Sequence, residues 1–426
     1  MHSHGSSETD PADLGGRFRS RTLYAIVAAV LIPAALASLI AIVALWPSDA
    51  SKQPPPQDFA VTGVKFLPGQ VAAVTPFECQ AVTQAPTSTS GAPATGPAQC
   101  ARADIILESG TTVRVDITSQ QLKSGLSAGD KVKVIQTPGI EGATPDYAFY
   151  DFVRQPPMLL LAIMFLVVVT LVARLKGLLS VVGLGFAFFI LVEFMLPALL
   201  AGEPAALVGL AGSAAIMFVV LYLAHGFHVR THTALMGTLI GLALMTGLAV
   251  WATGAAHLTG LSDDDGYQLA AIAPGLRLSD LVLCGMLVAG LGVLNDVTVT
   301  QASAVWELRI AAPDSSNWAA FRGAMRIGRD HIASTVYTIV FAYAGAALPV
   351  LLLISIYDRP LLDVLNSEQL AEEIVRTLVG AIGLVLAVPV TTAIGAVLSG
   401  AAIQRDPEAQ EQGNEIAKRY SQTHAE

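Results

Sequence analysis

Asp296 is the residue of this 426-residue chain around which chemistry is easiest to build. It stands in Gly290 to Leu308, GLGVLNDVTVTQASAVWEL, which continues an apolar run beginning at Leu278. At about 100° per residue, Asp296, Thr300, Ser303 and Glu307 fall within roughly 60° of one another on a helix, while Thr298 and Gln301 point elsewhere. Outward along the same face come Gly285, Ala289 and Gly292. Small residues let helices approach closely, and Ser or Thr can bond across to a neighbour. An ionisable side chain at bilayer depth is costly unless it faces the bundle interior or a water-filled cavity. One reading therefore puts Asp296 on a proton or cation path lined by Asn295, Thr300 and Ser303. Another has it pair with an arginine at the cytoplasmic boundary and hold two helices together. Exposure at the interface is the third.

The counter-ion for either of the first two readings comes from Arg326-Ile-Gly-Arg-Asp-His331, where Arg326 or Arg329 could reach Asp296 or Glu307. Asp330, Ser334 and Tyr337 share a face by the same spacing. Glu193 is a weaker candidate for a second carboxylate of the path; snorkelling or pairing with a neighbouring span serves it equally well. His225, His228 and His232 recur at helical intervals, but no carboxylate or cysteine stands beside them, so a boundary loop is expected rather than a metal site. No phosphate loop, HExxH or GxSxG motif occurs, so neither an enzyme nor a cofactor is expected. Pro349 and Pro389, the latter followed by Thr391 and Thr392, could break helices and free carbonyls.

The elements that position these residues follow from composition. Hydrophobic residues make up 53% of the chain and charged residues 13%, against about 45–50% and about 25% in soluble domains. The expected fold is an α-helical polytopic membrane protein. A bilayer core needs about twenty apolar residues per span, and eight runs qualify, near 23–46, 158–174, 178–200, 205–224, 233–256, 279–304, 332–356 and 377–400. The first reads as a retained anchor rather than a cleaved signal. Positive residues mark the cytoplasmic side: Arg17, Arg19 and Arg21 precede the first span, Arg174 and Lys176 join the second to the third, Arg230 joins the fourth to the fifth, and Arg309, Arg322, Arg326 and Arg329 follow the sixth. The alternate loops carry Asp263 to Asp265 and Glu368, Glu372 and Glu373. Both termini of a multi-pass chain are thus expected in the cytoplasm. A net charge of −9 speaks against a nucleic-acid partner.

Residues 47–155 stand apart as a small β-rich extracytoplasmic domain. After the linker SKQPPPQ, the pieces 104–108, 111–117 and 131–135 alternate and are separated by Gly-bearing turns, which suggests an antiparallel barrel or sandwich. Cys79 and Cys100 flank the low-complexity loop APTSTSGAPATGPAQ. In an oxidising compartment a disulfide is the simplest use of such a pair; a metal site lacks histidine support. Cys284, in the sixth span, reads as a small packing residue.

The phrases GVLNDVTVTQASAVWEL, AMRIGRDHIASTVYTIVFAYAGAALPVLLL and LNSEQLAEEIVRTLVGAIGLVLAVPVTTAI, with HGFHVRTHTALMGT before them, resemble the YibE/F family of bacterial integral membrane proteins in its actinobacterial form. The likeness covers about residues 155 to 403. That family is defined by its membrane region, so the resemblance implies a helical membrane domain and suggests a permease-like role. It also implies weight for Asp296, Ser303, Glu307 and the Arg329–Asp330 pair, which fall on recurrent positions. The expected division is a cytoplasmic segment 1–22, an anchor 23–46, the outer domain 47–155, the membrane domain 156–403 and a cytoplasmic tail 404–426. The leading expectation is a transporter or permease component for an ion or small solute. The rival is a non-transporting scaffold or envelope-assembly factor whose outer domain binds partners.

Overall fold

The computed structural model describes residues 21–47, 64–79, 98–138, 145–356 and 360–403. The SKQPPPQ linker, the 404–426 tail, and nearly all of both the first segment and the loop between Cys79 and Cys100 lie outside the described residues. Contacts divide the chain into two units, residues 55–168 and residues 1–54 with 169–426, and each is described by itself.

The first unit is built on period-two alternation. Strands β1 (Lys65–Cys79), β2 (Ala98–Leu107), β3 (Thr112–Ile117), β4 (Lys131–Thr137) and β5 (Asp146–Phe152) form one antiparallel sheet in the order β3-β2-β1-β4-β5. Ala101, Ala103, Ile105 and Leu107 of β2 point inward with Val113, Val115 and Ile117 of β3 and Val132 and Val134 of β4. Strand β1 serves two partners: Lys65 to Gln70 pair with β4, and Gly69 to Cys79 with β2. Gly69 sits at the switch, where an added Cβ would lie 2.7 Å from Ile105 Cγ2. A short helix α2 (Ser119–Lys123), closed by a Thr118–Gln121 capping box, separates β3 from β4. Strand β5 approaches β3 without joining it in a ladder. Of barrel and sandwich, the barrel forms. A three-strand meander, a helix, and a hairpin returning to β1 is the connectivity of the partly open OB-type barrel.

The second unit is a helical bundle. Helix α1 (Arg21–Ala44) lies on α5 (Ala205–His225), where Ser38 Oγ donates to the Ala211 carbonyl at 3.0 Å and Trp46 stacks on Phe194. Helix α3 (Gln155–Ile190), which enters this unit at Val169, is broken at Arg174, which has φ 53° and ψ −139°. Beyond that break an added Cβ on Gly177 would lie 2.5 Å from the Val169 carbonyl oxygen. Residues eight apart in a straight helix are about 12 Å apart, so the chain bends back sharply there. It continues through a π turn, Leu191–Met195, into α4 (Leu196–Leu200). The remaining helices are α6 (Val229–Ala255), α7 (Asp264–Ile272), α8 (Leu278–Ala311), α9 (Asn317–Ala346), α10 (Leu348–Ile356), α11 (Leu361–Leu365) and α12 (Glu368–Ile403).

Among the described residues six helices are long and apolar enough to cross a membrane, or seven if the bent pair α9–α10 counts as one span. This differs from the eight expected because residues 155–200 count once despite the Arg174 bend. The expected span 332–356 falls in two helices meeting at 65°. Proline lacks an N–H and its ring clashes with the carbonyl four residues back; Pro349 therefore falls in the first turn of α10 and the break falls at Ala347. Pro389 breaks nothing, and α12 runs through it. The core of this unit is the mutual packing of α6, α8 and α12.

Candidate functional site

Helix α8 packs on α6 and α12 through Leu294, Val297, Thr298, Gln301, Ala302 and Val305, all buried. The residues that share a face with Asp296 therefore look the other way. Asp296 is 65% exposed, and Gly285, Gly292, Thr300 and Glu307 are exposed with it. Ser303 is half-buried, its hydroxyl donating to the Val299 carbonyl at 2.9 Å. The common face of the sequence reading is real, but it lies along an open flank of α8 and not inside the α6–α8–α12 core.

Across that flank stands α9. Its His331 Nε2 is 3.7 Å from Asp296 Oδ2, within ion-pair reach but beyond hydrogen-bond length. The same Nε2 is buried with no hydrogen-bond partner among the described residues, and so is Asn295 Oδ1. The Thr335 hydroxyl donates to the His331 carbonyl at 2.9 Å and ties the next turn to it. The arginine expected as counter-ion does not take this place. Arg326, Arg329 and Asp330 are exposed, and among the described residues no ion pair joins them to Asp296 or Glu307. At about 100° per residue Arg326 and Arg329 stand about 140° and about 200° round α9 from His331, which faces α8. Glu193, in the π turn, is exposed and apart from this pair.

Toward its N-terminal end the α8 face opens into a cavity of about 550 Å³, lined by Gly285, Val288 and Ala289 together with Glu372 and Arg376 of α12. A second cavity, of about 250 Å³, lies beside the α9–α10 bend and shares Glu372 and Arg376 with the first. Arg376 bonds Glu372 and Glu373, four and three residues before it on α12. Glu372 is only 11% exposed and Arg376 20%. The sequence reading takes Glu372 and Glu373 only as loop charges; the missed signal is their spacing from Arg376, which sets both carboxylates within reach of one guanidinium on a helix.

The buried polar groups are those first set aside. Thr298 and Thr238 of α6 bring their hydroxyls to 2.6 Å. Gln301 Nε2 donates to Thr392 Oγ1 at 2.7 Å and to the Ala324 carbonyl at 2.9 Å. Thr391 Oγ1 is fully buried, has no hydrogen-bond partner among the described residues, and meets Gly237 of α6. This seam is buried, is shared by four helices, and ties α6, α8, α9 and α12 together.

At the histidine-rich turn, Tyr222 Oη and His232 Nδ1 lie 2.9 Å apart. Among the described residues no three His, Cys, Asp or Glu side chains form a metal-binding group. In the barrel unit the register sets Cys79 opposite Ala98 and Cys100 opposite Phe77, so the two cysteines are diagonal neighbours on one face. The side chain of Cys79 lies outside the described residues. Cys284 is a free, buried thiol, as a packing residue should be.

No curated protein and no solved structure matches the chain. A family model described as YibE/F-like protein does match, over residues 161–400, which takes in α8, α9 and the charged turn of α12. Because that match extends over more than half of the sequence, the chain belongs to the YibE/F-like family.

Proposed function

We propose that this protein is a transporter or permease component, moving an ion or small solute across a bacterial plasma membrane along the flank of α8. One observation carries the reading: the face that bears Asp296, opposite His331, is the face whose Gly285 and Ala289 line the 550 Å³ cavity. A carboxylate at mid-helix needs water or a polar partner, and small residues beside it leave room for both. Exposed Arg322, Arg326 and Arg329 at one end of α9, against the acidic turns at 263–265 and 368–373, support cytoplasmic termini by the distribution of positive charge. The role needs no bond chemistry, no cofactor and no nucleic acid.

The test is flux in proteoliposomes with Asp296→Asn beside the parent protein. Loss of flux in a variant that still folds and inserts supports the path. A parent protein that moves no cation, anion or metabolite and binds none ends it. Water at the flank is checked independently by single cysteines at Gly292, Thr300 and Ser303. Reaction with a membrane-impermeant thiol reagent is expected, and protection of all three would place the face in lipid.

A second reading keeps its own observation. The barrel unit presents Phe77 under the Arg102 guanidinium, 5.2 Å from it, with Arg102 paired to Asp116 and Arg114 to Asp104 on the outer face of β2 and β3. OB-type barrels bind ligands on that face, which suits a scaffold whose outer domain captures an envelope partner. Under that reading Asp296→Asn acts only through stability.

A further inference from the structure

The first half of α9 turns a charged face away from the bundle. At about 100° per residue, Arg322, Arg326 and Arg329 fall within about 60° of one another, and all three are exposed. Ala320, Ala324, Gly328, Thr335 and Ile339 are buried on the opposite side of the helix, where Gly328 meets Gln301 of α8 and Val388 of α12. The first arginine stands about 10 Å along the axis from the last. Among the described residues none of the three enters an ion pair. Asp330, also exposed, stands at the edge of the face beside Arg326, so positive charge stays in excess.

The same face changes character along the helix. One turn before Arg322 it carries Trp318, which is 65% exposed and stacks on Phe321; tryptophan is enriched at the level of lipid headgroups. One turn after Arg329 it becomes apolar through Ala333, Val336 and Val340, with Tyr337 and Phe341 exposed beside them. Guanidiniums followed by an apolar stretch match, in order and in polarity, a phospholipid of net negative charge standing against the helix. A free anion would use only the first part of this face.

We propose that this face of α9 is a docking surface for anionic phospholipid, its phosphate received by Arg322, Arg326 and Arg329 and its acyl chains lying along Ala333, Val336 and Val340. Each basic residue at a membrane surface strengthens such attraction on the order of fivefold. The surface needs the bilayer and does not depend on transport.

The experiment titrates the full chain in neutral detergent with phosphatidylglycerol and, in parallel, with phosphatidylcholine of the same acyl chains, and counts bound lipid by native mass spectrometry. Saturable binding of phosphatidylglycerol is expected, roughly tenfold or more tighter than that of phosphatidylcholine. Combining Arg322→Gln, Arg326→Gln and Arg329→Gln should weaken it roughly tenfold or more. The same three positions changed to lysine keep the charge and should bind within about threefold of the parent, since lysine also receives phosphate as a point charge. Arg326→Gln alone, which disturbs the fold least, should weaken binding about fivefold. Arg277→Gln removes an exposed positive charge at the start of α8 and should leave binding unchanged. Equal affinity for the two lipids, undiminished binding in the glutamine variants, or an equal loss in Arg277→Gln overturns the surface. Displacement of the lipid by millimolar inorganic phosphate would assign the arginines to a free anion and overturns it as well.

Discussion

Gln301 of α8 donates to Thr392 of α12 at 2.7 Å and to the Ala324 carbonyl of α9 at 2.9 Å, so one amide joins three helices. Gly328 makes room for it, since an added Cβ there would lie 2.8 Å from Gln301 Oε1. Helices in a bilayer gain little from apolar burial against one another, and interhelical hydrogen bonds contribute about 0.6 kcal/mol on average and up to about 1.7. Gln301→Leu is expected to lower stability by about 1 kcal/mol. A double-mutant cycle with Thr392→Val, read by thermal denaturation in detergent, should show coupling between the two; strict additivity would contradict the bond.

Gly237 and Thr391 form the closest approach of α6 to α12. A Cβ on Gly237 would overlap the Thr391 hydroxyl, with the Thr391 Cβ at 2.9 Å. Gly237→Ala should therefore destabilise the bundle by about 1–3 kcal/mol, the usual range for overpacking. Adding Thr391→Ala removes the overlapping oxygen, which has no partner to lose, and should recover part of the loss. A pair no more stable than Gly237→Ala alone would show that the contact is not the cause.

The contrast between these buried groups and Asp296 shows where sequence stops being informative. Helical spacing places Asp296, Thr300, Ser303 and Glu307 on one face, and the structure keeps them there. Spacing cannot say which way that face looks. In water the polar face of a helix turns outward, but lipid gives no such rule, and Thr298 and Gln301 went inward because Thr238 and Thr392 awaited them. The strands were legible for the opposite reason. A one-residue slip in β2 would turn Ala103 and Ile105 out and Arg102 and Asp104 in, a cost that fixes the alternation. Both breaks were legible: Pro349 marked the α9–α10 bend, and Arg174 with Lys176 interrupts the apolar run between the second and third expected spans, where Arg174 adopts its positive φ.

Cys79 and Cys100 offer a prediction of count. Their strands pair with Cys79 opposite Ala98 and Cys100 opposite Phe77, and an oxidising outer compartment favours bridging such neighbours. The denatured, unreduced protein should then react with a thiol reagent at Cys284 alone, and at all three cysteines after reduction. Two or more reactive thiols before reduction would exclude the bridge.

Arg309 carries the sharpest stability prediction. It is 1% exposed and is neutralised by no carboxylate in any ion pair among the described residues. Its guanidinium instead donates to the Ser315 carbonyl, to Asn317 Oδ1 at 2.6 Å and to the Ala396 carbonyl at 3.1 Å, fastening the α8–α9 turn onto α12. Gly400 leaves the space, since a Cβ there would overlap Asn317 Oδ1 and lie 3.0 Å from Arg309 Nη2. Hydrogen bonds to a charged group contribute about 1.5–3 kcal/mol, and a planar fork reaching three acceptors has no equivalent in lysine. Arg309→Lys and Arg309→Met should both destabilise the protein by about 2 kcal/mol or more, whereas Glu307→Gln, on the exposed flank two residues away, should cost under about 0.5 kcal/mol. Thermal unfolding of the three variants in one detergent checks this ordering. A lysine variant as stable as the parent would mean that charge alone, and not the fork, closes the turn.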